Sequence, residues 1–289
     1  MIALRHLASL RDIAGEFDAI VFDQWGVLHN GSTAYPGAIA AMEALADGPA
    51  RLAVLSNSGK RSAPNRARIA KMGFPVAALA CVMTSGEALW RDFEAGRFPG
   101  SRRLFAITAA PDDAMKWAIG LSELTFTSNI TEADGILLMG LPDEDAGDAT
   151  LAALLAAAQA RHLPMFCSNP DKASPRQGDR LVRSPGKLAE DYAEAGGSVL
   201  FYGKPHQPVF RSLQNTLGIS DPSRLLMIGD SIEHDIAGAA NAGWKTLFIE
   251  GGLHAADLAG AADRDATIIA LCRAHHAPLP DYRMEHVSA

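Results

Sequence analysis

Four short stretches carry residue types that could act on a charged substrate. Asp23 ends the apolar run Ala19-Ile20-Val21-Phe22, and Gly26 follows closely enough to permit a tight turn. Ser56 and Asn57 follow the apolar run 52–55. Lys204 follows Gly203 at the end of the run 198–202. Asp230 and Asp235 lie in Gly229-Asp230-Ser231-Ile232-Glu233-His234-Asp235, directly after the run 225–228. A carboxylate at the end of a buried strand is costly unless it is paired or bound to a cation. Several carboxylates at one strand end suit a hard cation, because Mg²⁺ takes oxygen ligands. Lys204 could neutralise a phosphate or hold a nucleophile charged, and Ser56 and Asn57 offer hydroxyl and N–H groups to anionic oxygens. Each residue also has an ordinary reading. Asp230 could cap a helix starting near Ser231, Ser56 and Asn57 could be N-caps, Lys204 could be a surface lysine, and Glu233 and His234 could be solvated.

What gives these residues a common purpose is the set of elements that carries them. The runs at 19–22, 52–55, 198–202, 225–228 and 246–249 read as buried parallel strands. Helical patterns at 37–47, 62–72, 206–217 and 234–243 lie between them, and Leu4, Leu7, Leu10 and Ile13 suggest another at 4–15. This alternation predicts an α/β, doubly wound, Rossmann-like parallel sheet. Ligands of such sheets bind outside the carboxyl ends of the strands, which is where the first four runs deliver their polar residues. From about 87 to 195 the alternation is interrupted by a block with its own strands at 103–108, 124–127, 135–139 and 164–168. The same block holds a long helix at 149–161 and a short one from Asp112 to Trp117. That is enough for an inserted domain that caps the sheet edge. An Ala-rich helix is expected within 257–276, and a loose tail over the last dozen residues.

Composition narrows the function further. The 289 residues carry a net charge of −7, and no Lys/Arg run exceeds a pair, which argues against nucleic acid as a partner. An acidic protein that handles phosphate needs local positive charge, which a bound cation can supply. Cys81, Cys167 and Cys272 are far apart, so neither a zinc framework nor a disulfide scaffold follows. A reducing, cytoplasmic compartment is expected. The first residues are charged throughout and do not read as a signal peptide, and no apolar stretch is long enough for a membrane span. Ser56-Asn57-Ser58-Gly59-Lys60 is not a Walker A loop, since Val54 and Arg61 occupy positions that need Gly and Ser/Thr.

Taken in order, Asp23, Ser56, Lys204 and the Gly229-Asp230 to Asp235 pattern resemble the motifs of the haloacid dehalogenase superfamily. Three further stretches resemble its class IIA branch, the sugar and nitrophenyl phosphatases with a large C2-type cap. They are Val82-Met83-Thr84-Ser85-Gly86-Glu87-Ala88, Ser168-Asn169-Pro170-Asp171 and Pro185-Gly186-Lys187-Leu188. The resemblance runs from about residue 18 to 250. It implies a core of 1–86 with 196–289 and a cap of 87–195 that excludes water and selects a small phosphorylated metabolite such as a sugar phosphate. It further implies Mg²⁺ held by Asp23, the Trp25 carbonyl and Asp230, with Asp235 completing the set. Asp23 becomes the nucleophile and Lys204 balances charge. Ser56 and the Asn57 backbone hold the phosphate, and Asn169 and Asp171 become candidate substrate contacts. Pairing into a homodimer through the cap is also implied.

One position departs from the pattern. The superfamily's phosphatases read Asp-x-Asp at the first motif, and the second Asp protonates the leaving group. This chain reads Asp23-Gln24-Trp25. Losing a general acid costs on the order of 10²–10⁴ in rate. The loss should weigh most on sugar and alkyl esters and least on aryl or acyl phosphates, whose leaving groups need little protonation. His29 and His206 are the nearest substitute acids, though both also read as solvated. Two other readings stay open: a phospholigand-binding or regulatory protein on the same fold, and a dehalogenase in which Asp23 attacks carbon.

Overall fold

The structure, a computed structural model, describes residues 4–142, 148–176 and 180–289, which form two compact units. The first unit comprises Met1–Ser56, Ala63–Met83 and Lys204–Ala289, and the second Asn57–Ser62 and Thr84–Gly203. No described helix is long and apolar enough to cross a membrane.

The first unit is built on a seven-stranded sheet. Its order is Arg5–His6, Tyr282–Met284, Lys245–Ile249, Leu225–Gly229, Ala19–Phe22, Arg51–Ser56 and Leu79–Thr84. The ladders joining the first six strands are all parallel. Side chains alternate across the strands, and both faces are covered. Leu247 and Ile249 enter the larger hydrophobic cluster with Ile20, Phe22, Leu52, Val54, Leu226 and Ile228, while Phe248 enters a second cluster with Ile232, Ile236, Ile268 and Cys272. Two-sided burial explains why these strands read as continuous apolar runs rather than alternating ones. The register places Phe22 opposite Ile228 on one side and Val54 on the other, so Asp23, Asp230 and Ser56 emerge at one edge of the sheet.

The ends of the chain differ from expectation. The helical spacing of Leu4, Leu7, Leu10 and Ile13 is answered by the short strand Arg5–His6 and two single turns, Leu10–Asp12 and Ala14–Glu16. Leu7, Leu10 and Ile13 are nevertheless buried in the main cluster. The N–H groups of Leu7 and Leu10 donate to the carbonyls of Arg283 and Ser288, and this long-range pairing displaces a local helix. The tail is correspondingly ordered, with Tyr282–Met284 inside the sheet and Val287 buried.

The second unit has a parallel five-stranded sheet of order Val199–Phe201, Met165–Cys167, Gly135–Leu138, Arg103–Ile107 and Thr125–Thr127. A two-stranded antiparallel ribbon, Ala173–Arg176 with Arg180–Arg183, accompanies it. The run 198–202 was expected in the core sheet. It instead pairs Val199–Phe201 with Met165–Cys167, so it belongs to the inserted block. Here the compact units divide after Met83 and Gly203, against the expected boundaries after 86 and 195. Lys204 is therefore the first residue of the chain's return to the core, not the end of a core strand.

Candidate active site

Asp23, Asp230 and Asp235 converge: each offers a carboxylate oxygen, and these atoms lie within 4.8 Å of one another. All three are buried, Asp23 with 9% of its surface exposed. The Lys204 ammonium, 3% exposed, donates to Asp23 Oδ1 at 2.5 Å and to Asp235 Oδ1 at 2.6 Å. The second oxygen of Asp235 accepts the Ser231 N–H at 3.0 Å, and Asp230 Oδ2 accepts the Leu253 N–H at 2.7 Å.

Local structure explains this aim. Ser231, not Asp230, caps the following segment, its hydroxyl accepting the His234 N–H at 3.1 Å. Asp230 is thus released from the capping role that its position suggested. Ile232–Ala237 winds as a π-helix in which the N–H groups of Asp235 and Ile236 both reach the Ser231 carbonyl. Such widened turns recur at functional sites, and this one carries Asp235 inward. After Asp23 the chain doubles back, with the Leu28 and His29 N–H groups on the Gln24 carbonyl and the Gly26 N–H on the His29 carbonyl. Gly26 has φ +88°, and a Cβ there would stand 1.8 Å from Asp230 Oδ2, so only glycine brings the loop this close.

The charges are unbalanced. Burial pushes Asp23 up to about 7, with Lys204 opposing and Asp235 adding to the rise. Burial likewise holds Asp230 well above the usual carboxylate range, reinforced by Asp23 and Asp235. Burial draws Lys204 down, but its two carboxylate partners outweigh that and keep the ammonium charged. Three carboxylates around one ammonium therefore hold more negative charge than the site can neutralise. A divalent cation among the three would reverse the upward shifts, and the all-oxygen donor set suits a hard ion. The residues present fit Mg²⁺.

The other expected residues separate into two groups. Ser56 ends its strand, buried, at the same edge as Asp23. Asn57 opens the second unit, where its side-chain amide donates to Asp171 Oδ1 at 2.8 Å. Asn169 Oδ1 accepts the Asp171 N–H at 3.1 Å, so Asn169 and Asp171 secure a turn of that unit. Glu233, His234 and His206 are half-buried, and His206 makes no side-chain cap bond at the start of Gln207–Leu217.

His29 is neither solvated nor a suitable acid. It is wholly buried, and its Nδ1 accepts the Gly31 N–H at 3.0 Å, which leaves the proton on Nε2. Burial, aided by Arg68, pushes its pKa down to about 4, so the ring is neutral at pH 7. A histidine depressed in the folded state binds a proton more readily when unfolded. Stability from this group is therefore present above about pH 6.5 and lost as pH falls toward 4. Between pH 7.5 and 5.0 the loss should be about 2 kcal/mol. Urea unfolding of wild type and His29→Gln at pH 7.5 and 5.0 checks this: the wild type should lose more stability than the variant across the interval, and equal losses would refute it.

Sequence reasoning missed the loop after Lys245–Ile249, although the run's ending in Glu250-Gly251-Gly252 at the same sheet edge was a usable signal. That loop supplies Leu253 to Asp230. It also missed Tyr35, whose phenol is raised by burial and by the nearby Asp230 charge.

Comparison with known proteins points to one hydrolase family. Residues 20–116 match the family described as Haloacid dehalogenase-like hydrolase, and residues 201–271 match that described as "HAD-hyrolase-like". Bovine (Bos taurus) chronophin is 28% identical over 97% of this chain and 94% of its own length. Chicken (Gallus gallus) glycerol-3-phosphate phosphatase is 24% identical over 96% and 92%. The crystal structure of a haloacid dehalogenase-like family hydrolase from Brucella suis 1330 superposes with a TM-score of 0.76 at 32% identity, covering 99% of this chain and 100% of the other.

Proposed function

The chain belongs to the haloacid dehalogenase-like hydrolases and is an enzyme acting on phosphate esters; from that premise we propose that it is a Mg²⁺-dependent phosphatase of small phosphorylated metabolites with Asp23 as nucleophile. The observation that carries this reading is the convergence of Asp23, Asp230 and Asp235 around Lys204. Asp23, Asp230 and Asp235, with the Trp25 carbonyl, would hold the ion, which when bound neutralises charge on the phosphoryl oxygens.

Asp23 attacks phosphorus in line with the ester oxygen, the P–O bond to the alcohol breaks, and an aspartyl-phosphate forms. Water then attacks this phosphorus and restores the carboxylate. Lys204 stays protonated throughout and favours the anionic, attacking form of Asp23 while opposing charge on the transferred group. Ser56 and the adjoining Asn57 backbone bind phosphate oxygens. Asp235 fixes Lys204 from the other side, and the Ser231 N–H fixes Asp235. The Trp25 indole N–H is too weakly acidic to give up a proton, so the leaving oxygen takes its proton from solvent, and esters of acidic alcohols should react fastest. Attack on carbon would need no cation and so leave Asp230 without a task, which favours phosphorus.

Phosphate release from para-nitrophenyl phosphate, acetyl phosphate and a panel of sugar phosphates tests the reading. EDTA treatment should abolish release, and millimolar Mg²⁺ should restore it. Full activity in excess EDTA would refute the metal assignment. Brisk sugar-phosphate hydrolysis, as fast as that of acetyl phosphate, would mean that a proton donor other than residue 25 serves the site.

A further inference from the structure

Large hydrophobic side chains are exposed at only four of the described positions: Trp25, Met115, Ile119 and Leu253. Two of these, Trp25 at 40% and Leu253 at 55%, belong to the first unit. Exposed apolar residues scattered singly need no explanation. These two are not scattered, because both stand on loops that touch one carboxylate. Trp25 lies two residues after Asp23, beside Gly26, whose backbone is pressed against Asp230 Oδ2. Leu253 donates its own N–H to the same Asp230 Oδ2 at 2.7 Å. Gly252 before it is so close to Asp230 that an added Cβ would fall 2.3 Å from the carboxylate. Their parent strands, Ala19–Phe22 and Lys245–Ile249, flank Leu225–Gly229, which carries Asp230.

The pyrrole edge of the indole lies beside the Gly31 turn: a Cβ built at Gly31 would stand 3.2 Å from its Nε1. The turn is tied in turn by the Gly31 N–H on His29. A partly exposed aromatic side chain has a rigid ring and few torsions, so it loses little freedom on stacking against a ligand. Binding sites commonly pair a few charged groups with an apolar wall that takes the rest of the ligand. Here the charged groups are the acid trio and Lys204, and the apolar side chains standing on the same loops are Trp25 and Leu253.

We propose that Trp25 and Leu253 form an apolar rim that binds the alcohol part of the substrate and selects phosphate esters with a planar, apolar face over polyhydroxylated sugar phosphates. This rests on the phosphatase reading and names its substrate class. It also assigns a use to the residue that replaced the acid. An aromatic ester of an acidic alcohol both stacks on the indole and leaves without a proton donor.

The test compares kcat/KM for 2-naphthyl phosphate with that for acetyl phosphate, which has no apolar face. Trp25→Ala should lower this ratio about tenfold and Leu253→Ala about threefold, while Trp25→Phe retains most of it. Using the ratio within each variant cancels leaving-group chemistry and any general loss of folded enzyme. A ratio unchanged in both alanine variants overturns the rim. A second arm needs no turnover. Calorimetric titration of Mg²⁺-loaded wild type with phenylphosphonate and methylphosphonate, neither of which is hydrolysed, should give about tenfold tighter binding of the phenyl compound. That preference should collapse in Trp25→Ala. The preference without hydrolysis of any ester would sink the phosphatase reading and keep the rim. Hydrolysis with equal binding of the two phosphonates would do the reverse.

Discussion

An Asp23→Asn protein should release phosphate roughly 10⁴-fold more slowly than wild type or not at all, because an amide cannot serve as the attacking carboxylate. The change is nearly isosteric, and the amide can still meet the Lys204 ammonium through its oxygen, so the fold should persist. Far-ultraviolet circular dichroism and the urea midpoint would confirm that loss of activity is not loss of structure. A more specific readout is the covalent intermediate. Acid quenching of wild type with acetyl phosphate radiolabelled on phosphorus should trap label on the protein, and the variant should trap none. Phosphate release by Asp23→Asn within tenfold of wild type would exclude Asp23 as the nucleophile and open a mechanism of direct attack by water.

The largest stability effect is expected at Lys204. The ammonium touches both Asp23 and Asp235, and all three side chains are buried. In Lys204→Met the apolar stem is kept and the charge is lost, so two carboxylates face each other without a cation between them. Breaking a buried pair by removing one partner typically costs about 3–5 kcal/mol, since the remaining charge is left unpaired. A loss in that range, measured by urea unfolding of the metal-free protein at pH 7.5, is the expected result. Millimolar Mg²⁺ should recover part of it by supplying charge to the same carboxylates. Lys204→Arg should not substitute, because a planar guanidinium cannot place one compact charge between two oxygens from this backbone position. A loss below about 1 kcal/mol in Lys204→Met would mean that the trio is already balanced by something other than Lys204.

Much of this architecture was legible in the chain. Ala19–Phe22, Arg51–Ser56, Leu225–Gly229 and Lys245–Ile249 are short, wholly apolar over most of their length and followed at once by polar or glycine residues. A strand covered on both faces calls for that pattern. Asp23 and Asp230 were legible for the same reason: a carboxylate abutting such a run needs a partner. Val199–Phe201 was misplaced by the same logic. An apolar run states that a strand is buried, and it does not state in which sheet. The pairing with Met165–Cys167 decided the matter. Arg5–His6 and Tyr282–Met284 escaped notice because they are short and mixed, and each is a strand only by virtue of its neighbour.

By itself, the sequence determined the alternation of strands and helices, the identity of the acids and the lysine, and the absence of a carboxylate at Trp25. These follow from local composition, which acts through burial and backbone preference over a few residues. The tertiary structure alone decided which oxygens face one another, that Lys204 bridges Asp23 and Asp235, and that His29 is buried and neutral. It alone decided that Leu253, remote in sequence, stands beside Trp25's loop at Asp230. Contacts between residues far apart in the chain depend on strand order and register. Those are set by the packing of the whole sheet, and no single segment encodes them.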